Sequence, residues 1–226
     1  MYRRNLLLDS IDVDKTKEKA SKDTLLCEAS SKLNNKRRVE VFQSDFKRIE
    51  YGKWLNDTLI EFLINTAMEN YDEEILSSLH VFSTQFYTKL VSTPRKWTSA
   101  LLRMPEAKRN HANVEKWTKN INIFEKQVHI FPINKTEWHW YLIIAIFPTL
   151  SDSCEPYLAV LDSCGQGKLR EDEADNIRNY FVEELAYRSE KSFNSEKIKK
   201  MLVQYPKVPQ QPDGSSCLLC IFSSKY

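Results

Sequence analysis

The chain has 226 residues, 42% of them hydrophobic and 12% aromatic, enough for one domain with its own core or for a domain plus a tail. Its 33 basic and 31 acidic residues leave a formal charge of +2, without the basic excess of a nucleic-acid binder, so no nucleic-acid partner is expected. No apolar run approaches the ~20 residues of a membrane span. Leu6, Leu7 and Leu8 are too short a run for a signal-peptide core. A nuclear or cytosolic chain with no membrane partner is expected. The five cysteines, an odd number, suit such a reducing compartment.

Residues 1–38 are charge-rich and weakly apolar, and read as a mobile polar tail. The basic cluster Lys36-Arg37-Arg38 reads more readily as part of that solvated tail than as an import signal. A folded domain is expected over 39–226. Val39, Val41 and Phe42 suggest a short extended segment. From Asn56 the period becomes helical, with Leu59, Ile60, Leu63 and Ala67 on one face and Asn56 or Asp57 as cap. A second helix is predicted over Phe82 to Lys89, and a polar surface connection over Ser92 to Asn113. Three strands are predicted at Val128–Ile133, Tyr141–Phe147 and Tyr157–Leu161. Their continuous apolar character implies a sheet covered by helices on both faces. A helix over Glu171 to Tyr187 and a last strand over Lys200 to Val208, ended by Pro209, complete an α+β domain.

Among the four histidines, His80, His111 and His129 lack neighbours suited to chemistry. His139 stands immediately before one predicted strand, and Asp162 immediately after the next. If those strands pair as antiparallel neighbours, the two residues meet at one edge of the sheet, within hydrogen-bonding distance. Either residue alone reads more simply as a packed histidine or a turn aspartate. Their pairing changes that balance.

The third element is QQPDGSSCLLCIF, in which Pro212, Asp213 and Gly214 make a turn and Ser215 or Ser216 can cap a helix starting near Cys217. A cysteine in a first helical turn feels the positive end of the dipole, which favours thiolate, and a neighbouring imidazole favours it further. The Cys217 N–H and a side-chain amide such as Gln211 could serve a developing oxyanion. Two other readings of the Cys217-x-x-Cys220 pair are weaker. No thioredoxin-like βαβ unit surrounds it, and Cys154 with Cys164 lacks the spacing to complete a zinc knuckle. No metal and no cofactor are expected.

The succession WLNDTLIEFL, VFSTQFYTKL, KWTKNINIFEKQVHIFPIN, WHWYLIIAI, LAVLDS and VPQQPDGSSC resembles the SUMO-specific (Ulp/SENP-type) cysteine proteases, in order and from about Val39 onward. The charged helix after Asp162 and the approach to the cysteine resemble the branch that acts on poly-SUMO chains. The resemblance implies a papain-like fold with a central, mostly antiparallel sheet flanked by helices. It also implies a catalytic triad of His139, Asp162 and Cys217, with Gln211 in the oxyanion hole. Trp54 and Trp140 match the tryptophans that roof the family's tunnel for a Gly-Gly tail, and flat indoles suit an extended glycine backbone. The expected enzyme is a monomeric thiol protease that cleaves SUMO from lysine conjugates or processes the SUMO precursor after Gly-Gly, with SUMO and SUMO-conjugated proteins as partners.

Two departures stand out. Leu218 occupies a position where the family carries a small glycine, and the chain stops at Tyr226, where the family domain continues. The domain therefore reads as truncated at its C-terminus, its last helix holding only about ten residues. These features support a second reading, an inactive SUMO-binding module of the same fold. A third is the same chemistry aimed at another modifier, such as NEDD8.

Overall fold

Three apolar runs in the middle of the chain become adjacent strands in the computed structural model, which describes residues 23–30, 38–50, 52–69, 71–93, 98–134, 139–148, 154–164, 170–191 and 193–212. In chain order, Leu25–Ser30 (β1) and Arg38–Phe42 (β2) form an antiparallel ribbon. Gln43–Phe46 (α1), Asp57–Met68 (α2) and Glu73–Ser77 (α3) lead to strand Leu79–Val81 (β3). Helices Phe86–Leu90 (α4), Ser99–Leu102 (α5) and Glu106–Ala112 (α6) then precede the central strands Val128–Asn134 (β4), Trp140–Ile146 (β5) and Tyr157–Leu161 (β6). The long helix Glu171–Arg188 (α7), the short Ser195–Lys199 (α8) and strand Leu202–Gln204 (β7) follow. The main sheet has the order β3-β4-β5-β6-β7, antiparallel at β4-β5 and β5-β6 and parallel at its two outer pairs. This is the expected α+β architecture.

Successive side chains on a strand point to opposite faces, and here both faces are covered. Phe131 and Ile133 of β4, Tyr141, Ile143 and Ala145 of β5, and Leu158 and Val160 of β6 share a core with α7. That helix supplies Ala174, Ile177, Tyr180, Phe181 and Leu185, spaced three and four apart on one stripe. Ile130, Trp140 and Leu142 point the other way, into a second core with Leu59, Ile60 and Leu63 of α2. Asn56 caps α2 by accepting from the Leu59 N–H at 3.1 Å. Twelve residues make a marginal helix alone. Five buried side chains, at roughly 1.5–3 kcal/mol each, decide the matter.

Four expectations are corrected by the structure. Residues 25–30, assigned to a mobile tail, form β1, because Ala29 and Cys27 find apolar partners in the second core and the backbone pairs with β2. The rest of that stretch lies largely outside the described residues. The helix predicted from Phe82 starts only at Phe86, since Leu79–Val81 is drawn into parallel pairing with β4. The connection over Ser92 to Asn113 contains two short helices, α5 and α6. Finally, β7 stops at Gln204, two residues before Pro206, which has no N–H to donate to a ladder.

Candidate active site

The β5–β6 register brings the two candidate residues together. Leu142 pairs with Leu161. Continuing one step sets Tyr141 opposite Asp162 and His139 on the adjoining diagonal of the same face, within reach of a long side chain. His139 Nε2 lies 2.6 Å from Asp162 Oδ1. The side chains are 16% and 9% exposed, so the pair is sheltered but reachable from solvent. With Nε2 engaged by the carboxylate, Nδ1 is directed to the opposite side of the ring. The imidazole also stacks on Tyr141, with centroids 5.8 Å apart and planes 22° apart.

Asp162 has further partners. Its Oδ1 accepts from the Cys164 N–H at 2.8 Å, and its Oδ2 accepts from Arg170 Nη2 at 2.6 Å and Nε at 3.1 Å. Burial alone raises a carboxyl pKa, but the bonds from His139, Arg170 and Cys164 outweigh it and hold Asp162 below the ordinary carboxylate range. The group is therefore an anion at neutral pH, able to orient a histidine and stabilise its protonated form.

The parallel β6-β7 pair aims the following chain at the same edge. Leu202–Gln204 runs beside Tyr157–Ala159, so the residues after β7 travel in the same direction as those leading to Asp162. Gln210 Nε2 donates to the Asp162 carbonyl at 3.3 Å, and the Gln211 N–H donates to the Ser163 carbonyl at 2.9 Å. Ser163 Oγ in turn donates to Gln211 Oε1 at 3.3 Å. Gln211 is thus tied beside Asp162, six positions before Cys217. Cys217 and Leu218 lie outside the described residues.

The two tryptophans differ. Trp54, just before the Asn56 cap, is half-buried. Trp140 is 1% exposed, sits in the second core, and donates its indole N–H to the Leu55 carbonyl at 2.9 Å. Strand alternation explains this: His139 and Tyr141 face α7, so Trp140 between them faces α2. As found here, Trp140 supports the segment that carries Trp54 from beneath and offers almost no surface to a ligand. Trp140→Phe is expected to cost about 1–3 kcal/mol by leaving the Leu55 carbonyl unpaired in the core. A thermal melt checks this, and an unchanged midpoint would remove the supporting role.

Sequence reasoning missed two contacts, one at the site and one in the core. Arg170 lies eight residues beyond Asp162, and the sequence between them has no periodicity to reveal the contact. His111, set aside as lacking neighbours, bonds through Nε2 to Glu184 Oε2 at 2.5 Å. Glu184 Oε1 also accepts from Thr118 Oγ1 at 2.9 Å and Arg188 Nε at 2.6 Å. The one signal was an acidic residue on the apolar stripe of α7, a position that demands buried partners.

A two-faced α+β sheet with a histidine–carboxylate pair at the strand edge is the layout of a papain-like fold. The chain belongs to the Ulp1 protease family: residues 53–223 match the family model described as "Ulp1 protease family, C-terminal catalytic domain", a span that includes Trp54, His139, Asp162, Gln211 and Cys217. Sentrin-specific protease 7 of Mus musculus is 33% identical over 127 residues, covering 56% of this chain and 12% of that relative. Sentrin-specific protease 2 of Homo sapiens is 28% identical over 194 residues, covering 86% of this chain and 28% of the relative. The chain thus spans a small part of the length of these curated relatives. Among solved structures, one titled "Crystal structure of the de-sumoylating protease" superimposes with a TM-score of 0.64 at 24% identity, covering 86% of this chain and 70% of that one, and shows the fold.

Proposed function

We propose that this chain carries a thiol isopeptidase site that releases SUMO from lysine conjugates, or matures its precursor, by cutting after Gly-Gly. The observation that carries the reading is the 2.6 Å bond between His139 and Asp162, with Gln211 tied alongside. Family membership supports the chemistry, and the names of the similar proteins, "Sentrin-specific protease" and "de-sumoylating protease", support the substrate class.

In this reading Cys217 is the nucleophile. His139, held through Nε2 by anionic Asp162, takes the thiol proton on Nδ1. The thiolate attacks the terminal Gly carbonyl, and the oxyanion is met by the Cys217 N–H and the Gln211 side-chain amide. The imidazolium then passes its proton to the leaving lysine amine as the C–N bond breaks. Water, deprotonated by the same imidazole, hydrolyses the thioester and restores the thiol. Trp54 lines the passage for the glycine backbone, and Trp140 holds it in place. The free thiols of Cys27, Cys154 and Cys164 suit a reducing compartment, the nucleus or the cytoplasm.

Cys217→Ser is expected to abolish cleavage of a SUMO–lysine conjugate while leaving SUMO binding measurable; undiminished cleavage would unseat Cys217. A SUMO vinyl-sulfone probe separates the alternatives. Covalent capture at Cys217 supports the protease, and tight binding without capture makes the chain a SUMO-binding module. Parallel probes built on other ubiquitin-like modifiers test the substrate class.

A further inference from the structure

The two oxygens of Asp162 are divided between an imidazole and a guanidinium. Oδ1 serves His139 and the Cys164 N–H, while Oδ2 takes both contacts from Arg170. We propose that Arg170 is a positioning residue of the site, which fixes the rotation of the Asp162 carboxylate and tempers the basicity it confers on His139. The inference rests on the reading of His139 as the base and Asp162 as its orienting group.

A lone carboxylate beside an imidazole can turn about its terminal torsion and offer either oxygen. A guanidinium that claims one oxygen with two N–H groups removes that freedom, because its donors lie in a rigid plane. Arg170 is itself held. Its Cζ lies 4.5 Å above the centre of the Tyr141 ring, the same ring on which His139 stacks. Its backbone N–H donates to Tyr205 Oη at 3.1 Å, anchoring it between the start of α7 and the segment after β7. Arg170 and His139 thus approach Asp162 from two elements and share Tyr141 as a platform.

The second consequence is electrostatic. A permanent positive charge on Oδ2 competes with the imidazolium for the field of the carboxylate, so it lowers the basicity that Asp162 lends to His139. Among the described residues, the other groups facing this cluster are Tyr141 from β5, Glu171, Glu173 and Arg178 from α7, Cys164 after β6 and Tyr205 after β7. All of them remain when Arg170 is replaced. Removing its charge should therefore raise the pH at which the imidazolium is lost, and with it the upper limit of the thiolate–imidazolium pair.

The test follows alkylation of Cys217 by iodoacetate, an anion that the imidazolium attracts and whose rate falls when that proton is lost, against pH, read from the Cys217 peptide by mass spectrometry, in the full chain and in Arg170→Gln and Arg170→Lys. The same variants are assayed on a SUMO-fusion substrate. Arg170→Gln is expected to move the upper limb of the alkylation profile up by about one pH unit, and to lower kcat roughly tenfold with KM unchanged. Arg170→Lys keeps the charge and therefore the limb, but it lacks the fork and loses kcat to a similar degree. In an Asp162→Asn background, Arg170→Gln should change neither quantity further. A limb in Arg170→Gln that coincides with the parent, full kcat in Arg170→Lys, or an equal shift in the Asp162→Asn background overturns the proposal. A parent chain whose Cys217 alkylates like an ordinary thiol of pKa about 8.5 removes His139 as its base, and removes this proposal with it; that outcome is distinct from the first three.

Discussion

Replacing His139 by Ala is expected to lower kcat/KM for a SUMO-fusion substrate by about 10²–10⁴-fold, the usual contribution of a positioned acid–base group. The effect is large because one imidazole would serve three transfers: it takes the proton of Cys217, gives it to the leaving amine, and deprotonates the hydrolytic water. The fold should survive the change. Asp162 keeps Arg170 and the Cys164 N–H as partners, so no carboxylate is stranded, and only a side chain at the sheet edge is lost. A melt within about 1 kcal/mol of the parent, together with the kinetic loss, would identify the cause as chemical. Cleavage within tenfold of the parent would show that another group is the base.

The second large effect lies at the far end of α7. Glu184→Gln should destabilise the domain by about 3 kcal/mol, the lower end of the range for breaking a buried ion pair. Glu184 is completely buried and serves His111, Thr118 and Arg188 together; without its charge, Arg188 keeps a largely sheltered guanidinium facing a neutral amide. For a chain of this size that corresponds to a fall in Tm of roughly 6–12 °C. Residue 184 lies fourteen positions along the helix from Arg170, about 20 Å away. Activity at temperatures where the variant stays folded should therefore be unchanged.

The same cluster sets a pH signature. Burial pushes Glu184 up, but the hydrogen bonds from His111, Arg188 and Thr118 and the charge of Arg188 more than offset it, leaving the folded-state pKa below the usual glutamate value. A group depressed on folding binds its proton more readily when unfolded. Its contribution is therefore complete above the unfolded pKa of about 4.3 and is lost as pH falls through the folded value. Asp162 behaves with the same sign. Melts of the parent and of Glu184→Gln should thus differ most near neutral pH and converge in acid. A difference that persisted undiminished well below pH 4 would show that packing, rather than charge, holds the cluster.

Some of this was legible in the chain because it depends on local pattern. Period-two and continuous apolar runs announce β4, β5 and β6 wherever they sit, and the i, i+3, i+4 stripe announces α2 and α7. Since antiparallel neighbours bring the start of one strand beside the end of the other, the approach of His139 to Asp162 followed from their places at strand ends. Other features carry no local signature. β1 is a short run inside a charge-rich stretch and exists because β2 and α2 offer it a surface. β3 is three residues long and is a strand only because β4 lies beside it.

The partners of Asp162 show the same division. By itself the sequence determined that an imidazole and a carboxylate would share one edge of a buried sheet, because strand periodicity and polarity are written residue by residue. That Arg170 would claim the second oxygen, that Tyr141 would pack against both the imidazole and the guanidinium, and that Trp140 would face inward beneath Leu55 was decided only when helix, strand and loop packed together. Those contacts join segments with no common periodicity, and their energies arise from desolvation and geometry that exist only in the folded chain.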